Sequence, residues 1–263
     1  MRPYVAILSA RFRTLLQYRA AAAAGLCTQL FWGLIRVMIF DAFYRSTDLP
    51  QPMSYVEVVT YVWLGQALLG LLPWGVDRDV QATIRSGIVA YEMVRPVDLY
   101  TFWFARAVAL RSAPTILRST PMFVLAIAFL GMSPPLSWAS AGAWAAATLG
   151  AVLLSAAITT LLTISMLWTI SGEGIAGILA AAVMIFSGMI VPLPLFPDWA
   201  QWLLDVLPFR GLVDAPFRLY LGHIPPSEAL SVLFHQAAWI AIFVTAGRLV
   251  LARGTRRLVV QGG

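Results

Sequence analysis

Residues 119–172, 54 positions between Arg118 and Glu173, contain no charged side chain. A water-soluble domain of this size has no core able to hide so long an apolar run. A lipid bilayer has no need to hide it, because a spanning helix takes about 20 mostly apolar residues. Met132-Ser133-Pro134-Pro135-Leu136 interrupts the run, which therefore reads as two hydrophobic lengths on either side of a turn. The whole chain shares this character, with 60% hydrophobic and 11% charged residues and a mean hydropathy of +0.81. A typical soluble domain carries about 25% charged residues. The fold class that follows is an all-α integral membrane protein, a single transmembrane domain over 263 residues with room for six spans.

Composition also excludes chemistry. All 18 basic residues are arginine. Without lysine there is no Walker A phosphate loop, whose lysine must reach the nucleotide phosphates, and no lysine Schiff base. The lone Cys27 excludes an internal disulfide, and with only His223 and His235 it makes no convincing zinc site. No nucleophile elbow, zincin helix or aspartate pair appears in any span. The expectation is a chain with no catalytic residue, no metal and no cofactor of its own. Its net charge of +6 fits orientation in a membrane better than binding of nucleic acid.

Residues 1–19 hold an interfacial helix, with Tyr4, Leu8, Phe12, Leu15 and Leu16 on one stripe and Arg11 and Arg13 off it. A signal peptide with Ala20–Leu30 as its apolar core is the alternative. No small-x-small cleavage site follows, and Arg36 continues the helical pattern. Spans are expected over about 20–43, 55–76, 108–131, 139–169, 175–192 and 229–250. Fourteen arginines then fall on the side of the N-terminus and three, Arg45, Arg210 and Arg218, on the other. By the positive-inside rule both termini are cytoplasmic, in the cell inner membrane. A lysine-free, alanine- and arginine-rich composition is associated with GC-rich bacterial genomes. The outer segment 193–227 carries two short helical patterns, about 198–206 and 209–221. Their aromatics, Trp199, Trp202, Phe209, Phe217 and Tyr220, are of the interfacial kind, so both should dip into the outer leaflet.

Residues 77–96 form a cytoplasmic island between the second and third spans. Val80, Ile84, Ile88 and Tyr91 make an apolar stripe at helical spacing, ringed by Asp79, Arg85, Glu92 and Arg95, and Gly87 divides the helix. Such a helix suits docking into a groove on a partner, or it is an interfacial loop with snorkelling arginines. Glu173, between Gly172 and Gly174 in a tight inner turn, is either a second partner contact or a hydrated carboxylate. Arg36 within the first span faces a polar pathway or an acidic partner such as Asp41 or Glu57, or it snorkels to the outer interface. Ser155, Thr159 and Thr163, spaced by four, line a translocation path or serve close helix packing.

This layout resembles the permease subunits of type-2 ATP-binding-cassette (ABC) exporters, and more closely the subfamily of about 260 residues often encoded as two related permeases beside one ATPase. Ile84-Arg85-Ser86-Gly87 and Met93-Val94-Arg95-Pro96 are similar to that family's island motif. Ser187-Gly188 to Pro192, Phe196-Pro197 and Leu207-Pro208-Phe209 resemble its segment before the last span. The resemblance implies that the island is a coupling helix receiving force from the ATPase, through Asp79, Ile84, Arg85, Gly87, Ile88, Tyr91, Glu92, Arg95 and Pro96, with Glu173 as a further contact. It implies two ATPase subunits holding ATP and Mg, and a second permease, a related chain or another copy, meeting this one through the second and fifth spans. No substrate motif comes with it. An ion-coupled secondary transporter would need midplane carboxylates or an internal repeat, and an intramembrane enzyme a catalytic cluster at depth. Neither is visible in the sequence.

Overall fold

Helix breakers set the lengths of the elements more than helix formers do. A computed structural model of the chain describes residues 2–169 and 173–255, and among them every regular element is helical. In order these are α1 (Arg2–Leu16), α2 (Arg19–Ser46), α3 (Tyr55–Ala67), α4 (Arg78–Arg85), α5 (Val89–Met93), α6 (Leu99–Phe129), α7 (Trp138–Ser165), α8 (Glu173–Phe186), α9 (Asp198–Val206), α10 (Asp214–Leu221) and α11 (Ala229–Thr255). Among the described residues α2, α6, α7 and α11 are long and apolar enough to cross a membrane. With the shorter apolar helices they make an all-α, multi-pass membrane protein.

The second and fifth segments differ from the continuous helices expected over 55–76 and 175–192. At 1.5 Å per residue, the 13 residues of α3 cover about 20 Å, against a hydrocarbon core of about 30 Å. The cause is Pro73, which forces Leu72 into extended backbone (φ −66°, ψ 146°) after a single 3₁₀ turn, Leu69–Leu71. The 14 residues of α8 stop at Ser187-Gly188, where Gly188 is left-handed with φ +86°. Irregular backbone at membrane depth is tolerated only where protein satisfies its polar groups, so both breaks need partners.

The helical part of the second segment is held by its neighbours. Ser54 and Glu57 form a reciprocal capping box at the start of α3, and the Tyr44 hydroxyl donates to the Met53 carbonyl at 2.6 Å. Residues 58–67 of α3 are all buried. Gly33 of α2 sits against the Trp63 ring where no side chain would fit, and the Trp63 indole donates to the Leu130 carbonyl at 2.9 Å. Residues 58–67 of the second span are thus enclosed by their own chain, while Val56 and Trp74 nearer its ends stay exposed. At the opposite end from α1, α10 is a core element rather than a leaflet helix, with Ala215, Phe217, Leu219 and Tyr220 buried. Burial here is set by Asp214, which accepts from the Tyr61 hydroxyl at 3.1 Å and the Leu193 amide at 3.3 Å. Arg218 lies 3.7 Å from its carboxylate. Of the two short helices it is α9 that keeps its aromatics outside, Trp199 and Trp202 being well exposed.

Gly188 joins this hub, since a Cβ there would collide with the Tyr61 hydroxyl. Gly188→Ala meets both that clash and a left-handed backbone, and should lower stability by about 1–3 kcal/mol, read as a fall in the melting temperature of the detergent-solubilised protein. Ala at the open position Gly177, where a Cβ meets nothing within 4 Å, should leave the melting temperature unchanged.

Candidate functional site

The island folds as two helices because Gly87 adopts φ +75°, a conformation that strongly favours glycine. This turn splits the apolar stripe expected on one face. Val80 is buried and Ile84 packs beside it against Tyr100, Phe102 and Trp103. Beyond the turn Ile88, Tyr91 and Val94 point outward, 51%, 72% and 81% exposed.

The charges divide in the same way. Asp79 is held within the chain, 2.6 Å from Arg11 and 3.3 Å from Arg106. Glu92 is buried and accepts from the Trp103 indole at 2.9 Å. Arg85, Arg95 and Pro96 lie at the surface, with the Arg95 guanidinium over the Phe102 ring at 5.9 Å. Of the residues expected to meet a partner, Ile84, Asp79 and Glu92 therefore hold the island to its own bundle. Ile88, Tyr91, Arg85, Arg95 and Pro96 form the outer surface, and Val94 joins them. Glu173 opens α8, but its side chain and the Ser171-Gly172 turn lie outside the described residues.

The start of α4 is a joint of four elements. Asp77 caps the helix by accepting from the amides of Asp79 at 3.0 Å and Val80 at 3.5 Å. Its side chain, 5% exposed, lies 3.2 Å from Arg106 of α6 and 3.7 Å from Arg11 of α1. Its own amide donates to Thr163 of α7 at 3.3 Å. Arg11, expected off the buried stripe of α1, turns inward to make these pairs. A second tie lies at Asp98, whose amide donates to the Tyr4 hydroxyl at 2.8 Å and whose carboxylate sits 3.3 Å from Arg248. Burial alone would raise the Asp98 pKa. Bonds from the Thr101 amide and hydroxyl, with the Arg248 charge, outweigh it and hold the carboxyl below its ordinary value.

Between this joint and α3 runs the broken segment 68–76, and here the Ser155, Thr159 and Thr163 stripe acquires a role. The Ser155 hydroxyl donates to the Leu71 carbonyl at 2.5 Å. The Thr159 hydroxyl accepts from Arg111 Nε at 3.0 Å, while the two Nη groups of Arg111 donate to the carbonyls of Leu72 at 2.8 Å and Gly75 at 2.7 Å. Thr163 takes the Asp77 amide. One face of α7, with one arginine of α6, thus satisfies the carbonyls freed by the Pro73 break and runs straight into the joint at Asp77. Arg111, counted from sequence with the arginines of the cytoplasmic side, is instead buried at 6% exposure. Its only sequence signal is an arginine inside an apolar helical pattern, since its carbonyl partners are 36 and 39 residues away.

Arg36 lies elsewhere. It is half-buried and donates to the Ile190 carbonyl at 2.7 Å. The carboxylates expected beside it are engaged with others, Asp41 with Arg45 at 2.8 Å and Glu57 with His223 at 2.9 Å. Arg36 borders a cleft of about 820 Å³ between α2, residues 66–74 and residues 184–195. None of Ser155, Thr159 and Thr163 lines it. Among the described residues no cluster of His, Cys, Asp and Glu fit for a metal is present.

No curated protein and no solved structure shows significant similarity to the chain. A family model described as ABC-2 family transporter protein matches residues 30–262. That span takes in most of α2, the broken second segment, the island with its root at Asp77 and its exposed surface beyond Gly87, and all of α6, α7 and α11, so the chain belongs to the ABC-2 transporter family, as a membrane permease subunit.

Proposed function

We propose that this chain is one of two permeases in a bacterial exporter of the cytoplasmic membrane, both termini inside, driven by two separate ATPase subunits that hold ATP and Mg. The observation that carries the reading is the island's division of labour. An outer apolar surface of Ile88, Tyr91 and Val94 stands 51–81% exposed, while its root at Asp77 is tied to α1, α6 and α7. Exposed apolar side chains on a rigid support suit a groove on a partner. A push on that surface reaches the membrane helices through Asp77, Thr163 and Arg111. The second permease covers the open face of α8 and a part of α2 outside the cleft lining, whose Ile178 and Met38 are 75% and 70% exposed.

The test is a Tyr91→Glu, Val94→Glu double variant. Both side chains already face water, so membrane insertion and melting temperature should be unchanged, while co-purification of the ATPase subunits falls at least about tenfold, as for the loss of interface anchors. Undiminished co-purification would sink the docking assignment.

A further inference from the structure

Two glutamines in the cleft beside Arg36 lack what buried amides need. Gln29 and Gln66 are each 3% exposed and both line the cleft. Both amide atoms of Gln29 and the Oε1 of Gln66 have no hydrogen-bond partner among the described residues. Buried polar groups are satisfied in nearly all folded proteins, and an exception marks an absent partner. Seven residues along α2 from Gln29, about 10 Å at 1.5 Å per residue, Arg36 reaches into the same cleft. No acidic residue is among those lining it, so the guanidinium meets no counter-charge there. The walls are otherwise mainly apolar, with Trp32, Phe40 and Trp74 prominent. A volume of about 820 Å³ lies in the range of small-molecule sites.

We propose that this cleft binds an acidic amphiphile. Its carboxylate or phosphate sits on Arg36, a second polar group meets Gln29 and Gln66, and its apolar chain lies against Trp32, Phe40 and Trp74. A cation finds no acid here. A wholly apolar molecule leaves the glutamine amides unpartnered. The inference rests on the permease reading and names the substrate class for the same chain. An acidic head of this kind has two sources, a free fatty acid or a membrane phospholipid.

The experiment uses the full chain with its ATPase subunits in phosphatidylcholine nanodiscs, photolysed with diazirine-bearing palmitate, and the adducts mapped by mass spectrometry. Labelling is expected in peptides covering residues 28–43 and 184–195, displaced by unlabelled palmitate and not by its methyl ester. Arg36→Gln should cut displaceable labelling about tenfold, as for loss of a charge-assisted bond, and Arg36→Lys should keep most of it. Displacement by phosphatidylglycerol as well as palmitate assigns the head to a phospholipid, and displacement by palmitate alone to a free acid; either supports the site. Unchanged labelling in Arg36→Gln, or equal displacement by the ester, overturns it. So does a spontaneous disulfide between two Trp32→Cys chains that blocks labelling, because the cleft is then a permease contact. If labelling fails while the ATPase subunits still co-purify, the cleft assignment falls and the permease reading stands.

Discussion

Arg111→Met is expected to lower the melting temperature of the solubilised protein by about 5–15 °C, the shift that a loss of about 2–4 kcal/mol gives a chain of this size. The guanidinium serves three acceptors in a place water does not reach, the carbonyls of Leu72 and Gly75 and the Thr159 hydroxyl. Methionine matches the length of the side chain and serves none of them. Each orphaned buried acceptor costs about 1–3 kcal/mol, and release from burying a charge offsets part of the total. Arg111→Lys keeps the charge, but its compact ammonium lacks the fork that reaches three acceptors, so an intermediate melting temperature follows. The pairing with Thr159 adds a check. Arg111→Met and Thr159→Val should combine to less than the sum of their separate effects, since both remove the same bond. Additive effects, or an unchanged melting temperature in Arg111→Met, would show that something else holds the broken segment.

Asp77→Ala should separate docking from coupling. The substitution removes the cap of α4, worth about 1 kcal/mol, and leaves Arg106 and Arg11, only 18% and 20% exposed, facing one another without the carboxylate between them. Asp79 keeps a partial hold on both arginines, so the expected loss of stability is about 2–3 kcal/mol rather than the full 3–5 of a severed buried pair. The outer surface of Ile88, Tyr91 and Val94 is untouched. The ATPase subunits should therefore still co-purify, while their stimulation by the permease falls at least about fivefold. Asp77→Asn retains an acceptor for the cap amides and should lose less. The mechanism fails if Asp77→Ala hydrolyses ATP with undiminished stimulation, or if the ATPase is lost as completely as in the Tyr91→Glu, Val94→Glu variant.

The contrast between these two regions shows what could be read in advance. The division of the island at Gly87 was legible, because only glycine adopts that backbone readily and it sits between two helical patterns. What the division does to the apolar stripe was not. A turn of φ +75° rotates Ile88 and Tyr91 away from Val80 and Ile84, and spacing along an ideal helix carries no record of that rotation. Glu92 gives the same lesson. In sequence it belongs to a ring of surface charges, and in the fold the Trp103 indole takes it inside.

The short helices of the second and fifth segments were hidden for a related reason. Hydropathy measures whether a stretch belongs in a bilayer, and residues 55–76 and 175–192 do. Whether their backbone stays helical depends on Pro73 and Gly188 together with the groups that satisfy the freed carbonyls. Those groups sit on α6 and α7 for the first break and on Arg36 of α2 and the Asp214 amide of α10 for the second, all distant in sequence.

The amino-acid sequence by itself determined that this chain is helical and belongs in a membrane, and its motifs carried the resemblance to a permease family. These follow from composition, from period and from local motifs, which act over a few residues. Only the tertiary structure decided that Arg111 is a buried staple, that Asp77 is the joint beneath the island's exposed surface, and that the polar stripe of α7 carries the segment between them. Each of those roles is a hydrogen bond or ion pair between residues distant in sequence. Inside a low-dielectric bundle such bonds, rather than propensity, determine where a broken backbone comes to rest.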